Sequence, residues 1–149
     1  MRIYLMRHAT AEEPGAGPDT ARQLTVQGRR EAREAGVALR DRKETIAVVL
    51  SSPRIRARET AEQIAGALGG GLRVEIRERL SCGATSADYW EEIRKQTGGA
   101  VLLVAHNPEL SAFVSSLAGQ IVSFKPSTLC CLEVEEAGAR LVWIRHPNS

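Results

Sequence analysis

Hydrophobic positions along the chain fall into two patterns, short apolar or alternating runs and longer amphipathic stretches. The short runs have the length of strands, and three of them are apolar throughout, which predicts burial on both faces of a sheet. The last two runs flank Glu135-Glu136-Ala137-Gly138, and this arrangement predicts a terminal antiparallel hairpin. The predicted strands are residues 3–6, 46–50, 72–76, 101–105, 129–134 and 140–144.

Amphipathic stretches between these runs predict four helices, over about 25–41, 54–68 and 85–96 and from Pro108 onward. Thr25 and Thr85 are suited to cap two of them, and Asp88 completes a capping-box pattern with Thr85. The charged residues between 29 and 34 predict a solvated face of the first helix. The predicted buried positions are Gly28, Ala32, Ala35 and Leu39, then Ala57, Ala61, Ile64 and Leu68, then Tyr89, Trp90 and Ile93, and finally Leu110, Phe113, Val114 and Leu117.

Strands separated by helices predict an α/β protein. We expect a single domain over residues 1–149, a three-layer α/β/α domain whose mostly parallel central sheet ends in the antiparallel hairpin. Residues 11–20 and 77–84 are predicted loops, and Gly69–Gly71 is a predicted flexible turn. The loop over 11–20 directly follows the first strand and is placed to form part of the rim of a site there.

The composition narrows the class of protein. With 20 basic and 18 acidic residues, the net charge of +2 provides no argument for nucleic-acid binding. No apolar run is long enough to span a membrane, and the N-terminus lacks a signal-peptide pattern. Three cysteines without a CxxC pair predict neither disulfides nor a zinc site, which favours a cytoplasmic location. We expect Cys82 in a loop and one of Cys130 and Cys131 in the core.

Polar residues follow three of the predicted strands. Arg7 and His8 end the first, Ser52 to Arg56 follow the second, and His106 follows the strand over 101–105. Because ligands collect at the carboxyl ends of parallel strands, these residues are expected to converge. Arginines can clamp phosphoryl oxygens, and a neutral imidazole can attack phosphorus. Taken alone, the Arg7-His8 pair fits a structural interpretation equally well, with Arg7 as a surface charge and His8 as a hydrogen-bonded turn residue.

Two further features refine this hypothesis. Arg54, Arg56 and Arg58 lie in or near the first turn of a predicted helix, where free N–H groups favour an anion. We expect one of them to point at a phosphate group and the other two to be solvated. No carboxylate cluster suited to Mg²⁺ follows the strands, so we predict a mechanism without a metal or other cofactor.

Three motifs follow one another along the chain: Arg7-His8-Ala9, Ser52-Pro53-x-x-Arg56-Ala57-x-x-Thr60 and Val104-Ala105-His106. In this order they resemble the histidine phosphatase superfamily, which has the phosphoglycerate mutase-like fold. One departure is Ala9, where the superfamily commonly has glycine. The resemblance extends across nearly the whole chain. Three further motifs are similar to those of the small SixA-type phosphohistidine phosphatase branch: Arg22-x-Leu24-Thr25-x-x-Gly28, Leu80-x-Cys82-Gly83 and His106-x-Pro108.

The resemblance implies a role for each matching residue. His8 would be the nucleophile that becomes phosphohistidine, and Arg7 and Arg56 would clamp the phosphate. His106 would be the second histidine at the phosphoryl oxygens, and Arg22 would lie near the pocket mouth. Two hydroxyl residues of the second motif, Ser52 and Thr60, are expected to be structural.

A dedicated proton donor is harder to assign. Superfamily members that act on phosphate monoesters usually carry an acidic residue near the pocket, and here Glu78 is the candidate proton donor. A solvated loop glutamate beside Arg77 and Arg79 is the alternative interpretation. Phosphohistidine needs less help from an enzyme acid, because its imidazole leaving group can already be protonated in the ground state.

The resemblance therefore implies a metal-independent phosphatase that acts on phosphohistidine of a signalling or phosphotransfer protein. Mutases of this fold carry insertions that roof the site, whereas here only about ten residues separate the strand over 72–76 from the next predicted helix, which favours an open pocket and hydrolysis. The alternatives are a phosphatase for a small phosphorylated molecule, which would need Glu78 or another acid, and a non-catalytic phosphoprotein-binding module, which would need no nucleophile. No nucleic-acid or membrane partner is expected.

Overall fold

The computed structural model describes residues 1–147 and contains one six-stranded sheet in the order β3-β2-β4-β1-β5-β6. β1, β2, β3 and β4 pair in parallel, while β5 is antiparallel to both β1 and β6. The strands are β1 Arg2–Arg7, β2 Val48–Ser51, β3 Val74–Ile76, β4 Val101–Ala105, β5 Leu129–Glu135 and β6 Gly138–Arg145. The helices are α1 Val26–Asp41, α2 Ile55–Leu68, α3 Ser86–Arg94 and α4 Glu109–Ala118. The predicted α/β fold with a C-terminal hairpin is confirmed.

Helices cover both faces of the sheet and make the three layers. On one face, α1 and α2 pack against alternate strand residues such as Tyr4 and Met6. On the other face, α3 and α4 pack against Ile3 and Leu5. Because successive strand residues point to opposite faces, each buried strand contributes to two separate cores. No helix within residues 1–147 is both long and apolar enough to cross a membrane.

The expectation that only one of the adjacent cysteines would be buried is wrong. Cys130 and Cys131 are both fully buried, on opposite faces of β5. This strand is paired on each side and covered on each face, so neither direction leads to solvent. Three residues that were predicted to be buried, Leu68, Trp90 and Leu117, are only partly buried, because they lie at the borders of the two cores.

The predicted helix caps are present, whereas several strands and helices begin or end at other residues than predicted. The Thr25 hydroxyl accepts from Gly28 N, and Thr85 forms a reciprocal capping box with Asp88. β3 begins at Val74, because this edge strand pairs with β2 over three residues only. The two predicted loops contain short 3₁₀ turns at Asp19–Ala21 and Glu78–Leu80.

The register of three neighbouring strands sets the position of the predicted site. Arg7 pairs with Ala105, and Ser51 pairs with Val104. The next residues along each strand, His8, Ser52 and His106, therefore leave the sheet side by side at its carboxyl edge.

Candidate active site

His8 is buried and its ring is oriented by a backbone contact. Its Nδ1 lies 2.8 Å from the carbonyl oxygen of Ala9, so we assign the ring proton to Nδ1. Nε2 then carries the ring's lone pair, which accepts a hydrogen bond from Arg56 Nε at 3.3 Å. Burial, assisted by the charges of nearby arginines, lowers the pKa of His8 to about 4. His8 is consequently a neutral imidazole near pH 7, with Nε2 available to attack.

His106 lies beside His8, with 5.3 Å between the ring centroids. Its Nε2 is 2.7 Å from Ser52 Oγ, which already accepts from the backbone N–H of Arg54. Because the Ser52 hydroxyl has no other acceptor among the described residues, we assign its proton to this contact and the imidazole proton of His106 to Nδ1. Nδ1 is buried without a hydrogen-bond partner in residues 1–147. Burial and then the neighbouring His8 lower the pKa of His106 to about 3.

Two guanidinium groups, a half-buried one on Arg7 and a buried one on Arg56, complete the inner part of the site. Arg7 donates to the carbonyl oxygen of Phe124 at 2.9 Å, while its Nε is buried without a partner among the described residues. Arg56 is only 4% exposed and donates both to His8 and to Asp19. Burial and then the charge of Arg56 lower the pKa of Arg7, as expected for like charges held together. The inner site is thus a concentration of positive charge.

The side-chain hydroxyl of Thr60 on α2 links the segment after His8 to Arg56. Thr60 lies one turn after Arg56 and donates to its carbonyl oxygen at 2.7 Å. The same hydroxyl accepts from the backbone N–H of Ala9 at 3.0 Å. One residue of α2 therefore fixes the position of the chain directly after His8 relative to Arg56. Both Ser52 and Thr60 support neighbouring site residues, as their predicted structural roles require.

The prediction of a fully solvated charged face on α1 is wrong for Glu31. This carboxylate is 5% exposed and accepts from the backbone and hydroxyl of Thr10 and from Ser127 Oγ. Burial alone would raise the pKa of Glu31, but the donated hydrogen bonds lower it below its ordinary value. Because Ser127 N also donates to the carbonyl oxygens of Arg7 and His8, Glu31 braces the loops on both sides of the nucleophile.

Close packing of α1 against this region explains one glycine. A Cβ on Gly28 would lie 2.0 Å from the carbonyl oxygen of Thr10, which is closer than any real contact. Thr25 donates to the same oxygen through its backbone N–H and its hydroxyl. The helix can approach the segment after His8 only because position 28 has no side chain.

The mouth of the site is formed by residues that the sequence indicated only in part. Asp19, on the predicted rim loop, accepts from Arg22 at 2.9 Å, from Arg54 at 3.1 Å and from Arg56 at 3.2 Å. Arg22 therefore lies at the mouth. Arg54 was expected to be solvated but is mostly covered, because it also contacts Ser81. Asp19 was missed, because a lone aspartate in a polar loop has no recognisable sequence pattern. Arg58 is exposed and pairs with Glu62, four residues along α2.

Glu78, the candidate proton donor, does not join this group. Its side chain is exposed, and it makes no ion pair or side-chain hydrogen bond with any site residue in the described part of the chain. Neighbouring loop residues do reach the site, since Arg56 Nη2 lies 3.8 Å from Cys82 Sγ. The 3₁₀ turn buries Leu80 in the core and leaves Glu78 on the outer side.

Together these groups have the chemistry to bind an oxyanion. Among residues 1–147, Arg7 Nε and the assigned His106 Nδ1–H are buried donors without acceptors, and leaving such donors unpaired costs free energy. An anion with several oxygen acceptors, bound beside His8 Nε2, would satisfy both. Within residues 1–147, no group of three or more His, Cys, Asp or Glu side chains is arranged to hold a metal ion.

The low pKa values of the two histidines predict a pH-dependent stability. In the unfolded chain both titrate near 6.5, so between pH 6.5 and 4 the unfolded state binds more protons than the folded state. We therefore expect the melting temperature to fall by several degrees as the pH is lowered from 6.5 to 4. Thermal unfolding at pH 7, 5.5 and 4.5 measures it, and His8→Asn and His106→Asn should each flatten the dependence. An unchanged slope in both variants would contradict the assignment.

Comparison with known proteins gives consistent similarities. The sequence model of the histidine phosphatase superfamily (branch 1) matches residues 3–81. The phosphohistidine phosphatase SixA homolog of Haemophilus influenzae is 33% identical over 146 residues, covering 89% of this chain and 87% of that protein. Phosphohistidine phosphatase SixA of Escherichia coli is 29% identical over 143 residues, and the match covers 93% of this chain and 88% of that protein. The structure of the protein histidine phosphatase SixA complexed with tungstate superimposes with a TM-score of 0.86 at 28% identity. The superposition covers 99% of this chain and 97% of the SixA chain.

Proposed function

Because the chain belongs to the histidine phosphatase superfamily, we propose that it hydrolyses phosphohistidine on a signalling or phosphotransfer protein. The relatives from Haemophilus influenzae and Escherichia coli are named for phosphohistidine as substrate, and the similarity covers most of each chain. The solved SixA structure was obtained with tungstate, a tetrahedral oxyanion that resembles phosphate. These similarities support the substrate class, and the local chemistry supports the mechanism.

The observation that carries the proposal is the neutral His8 beside unpaired buried donors. His8 Nε2 carries an unprotonated lone pair, held only by a hydrogen bond from Arg56 Nε at 3.3 Å. Arg7 Nε and His106 Nδ1 lack acceptors in the described part of the chain. A phosphoryl group would supply acceptor oxygens to these donors and present its phosphorus to the nucleophile.

The reaction proceeds in two displacements. In the first, His8 Nε2 attacks phosphorus, the new N–P bond forms, and the P–N bond of the substrate breaks with its electron pair remaining on the leaving imidazole. Arg7, Arg56 and His106 donate to the phosphoryl oxygens while charge develops on them. In the second, water attacks phosphorus, the Nε2–P bond breaks with its electron pair returning to His8 Nε2, and phosphate leaves with the water oxygen while one water proton passes to solvent. The hydrogen bond from His8 Nδ1 to Ala9 stabilises the positive charge of the phosphorylated ring.

The absence of contact between Glu78 and the site favours phosphohistidine over an alkyl phosphate. An alkoxide is a poor leaving group and requires a proton from an enzyme acid. A protonated phosphoimidazole leaves as neutral imidazole and needs no such donor. The half-exposed mouth, with the side chain of Asp19 50% exposed, also suits a histidine presented on a protein surface.

The discriminating experiment compares substrates. We expect kcat/KM for a phosphorylated histidine-phosphotransfer domain to exceed that for phosphoserine, phosphoglycerate and other small monoesters by about 100-fold or more. Both activities should be lost in His8→Ala. Preference for one small monoester would instead identify a small-molecule phosphatase, and Glu78→Gln would then be expected to slow that turnover. Binding without turnover would identify a phosphoprotein-binding module.

Two further expectations remain proposals. Residues 1–149 are proposed to act as one catalytic domain, supported by the single sheet with helices on both faces. A cytoplasmic location is proposed because all three cysteines are free thiols, including the buried Cys130 and Cys131.

A further inference from the structure

A carboxylate at the mouth of the site is held by three arginines. Asp19 Oδ1 accepts one hydrogen bond, from Arg22, while Oδ2 accepts from Arg54 and Arg56. The side chain is nevertheless 50% exposed, so Oδ1 retains acceptor capacity towards the open mouth. Arg22 lowers the pKa of Asp19 through its hydrogen bond, and the nearby Arg56 adds to the effect, so the group stays ionised near pH 7.

The position of Asp19 relative to the nucleophile matters for the reaction. The guanidinium of Arg56 spans the two, since its Nε contacts His8 Nε2 and its Nη2 contacts Asp19 Oδ2. The guanidinium of Arg56 therefore lies between Asp19 and the attacking nitrogen, and the half-exposed Asp19 is on the solvent side of buried His8. In an in-line displacement the leaving group departs on the face of phosphorus opposite the nucleophile. That face is turned away from the buried histidines, towards the mouth where Asp19 lies.

We propose that Asp19 is the specificity-determining residue for the imidazole leaving group, accepting a hydrogen bond from its distal ring N–H. This inference rests on the proposed function and deepens it. In a protonated phosphoimidazole, one ring nitrogen carries phosphorus and the other carries the proton. When the P–N bond breaks, its electron pair stays on the first nitrogen, and the ring leaves as neutral imidazole with its proton retained. A carboxylate at the distal N–H favours the protonated, reactive form.

The same carboxylate disfavours other leaving groups. A phenolate, or an alkoxide bearing a carboxylate, has no N–H to donate and brings negative charge or an unpaired acceptor to Asp19. The surrounding Arg22, Arg54 and Arg56 would by themselves favour anionic leaving groups, and Asp19 neutralises part of that charge. Phosphohistidine selectivity thus depends on one side chain that does not contact the phosphoryl group.

The test uses two ring substrates of similar size, phosphoimidazole and phenyl phosphate. For Asp19→Asn we expect kcat/KM for phosphoimidazole to fall about tenfold, the effect of losing a charge-assisted hydrogen bond, while that for phenyl phosphate is unchanged or rises. Asp19→Ala should show the same change in the ratio of the two constants. Glu13→Gln removes a charge from the same exposed loop and should leave the ratio unchanged.

The outcomes separate this inference from the proposed function. If Asp19 only positions Arg56, both constants fall by the same factor, and the inference is overturned while the function stands. If Asp19 merely competes with phosphate for the arginines, both constants rise together, with the same consequence. If the unmodified protein hydrolyses phenyl phosphate but not phosphoimidazole, the proposed function and this inference both fail.

Discussion

We expect His8→Ala to lower kcat/KM for a phosphohistidine substrate by about 10⁴-fold or more, the usual effect of removing a nucleophile. Among the described residues, no other imidazole nitrogen near the arginines of the site has a lone pair available for attack. His106 Nε2 is used by Ser52, and its Nδ1 carries the assigned proton. The same substitution should abolish the acid-labile phosphoenzyme that accumulates when labelled substrate is mixed with the protein and quenched within one turnover.

The matched control is His146→Asn, which removes a histidine that contacts Thr128 outside the inner site. Activity within about twofold of the unmodified protein is expected there. Labelled phosphoenzyme in His8→Ala at the level of the unmodified protein would show that another group forms the covalent intermediate.

We expect Arg56→Ala to lower kcat/KM by about 10³-fold, comparable to the loss of a key donor from a site that stabilises developing charge. Arg56 contacts both the nucleophile and Asp19, and it is nearly inaccessible to water, so its charge is weakly screened. Tungstate binding, measured by calorimetry, should weaken strongly in the same variant. Arg56→Lys should recover only a small part, because an ammonium cannot donate in both directions with the same geometry.

Arg58→Ala provides the control on the same helix. Arg58 is exposed and pairs with Glu62 along α2, away from the site, so its removal should change kcat/KM less than twofold. A loss of less than tenfold in Arg56→Ala, or an equal loss in Arg58→Ala, would contradict the assigned phosphate clamp.

Much of the fold follows from local patterns. The apolar runs became β1, β2 and β4 because a strand covered on both faces needs hydrophobic residues throughout. Thr25 and Thr85 cap α1 and α3, since a side-chain oxygen satisfies an otherwise free N–H at a helix start. The grouping of His8, Arg56 and His106 could also be predicted from the sequence, because the carboxyl ends of neighbouring parallel strands meet at one edge of a sheet.

Other features depended on contacts between residues far apart in the chain. Glu31 belongs to a charged stretch of α1, yet it is buried because Thr10 and Ser127, 21 and 96 residues away, donate to it. Cys130 and Cys131 are buried together because β5 is an inner strand with helices on both faces, a fact about its neighbours rather than about its sequence.

The elements, the layer arrangement and the grouping of the inner residues could therefore be predicted from the sequence, since periodicity and strand ends are local properties of the chain. The surroundings of those residues depend on how the chain folds. The tertiary structure placed Asp19 against three arginines from two segments, exposed Glu78 and left donors on Arg7 and His106 unpaired. Charge, burial and hydrogen-bond satisfaction are sums over neighbours in space, and those neighbours exist only once the chain has folded.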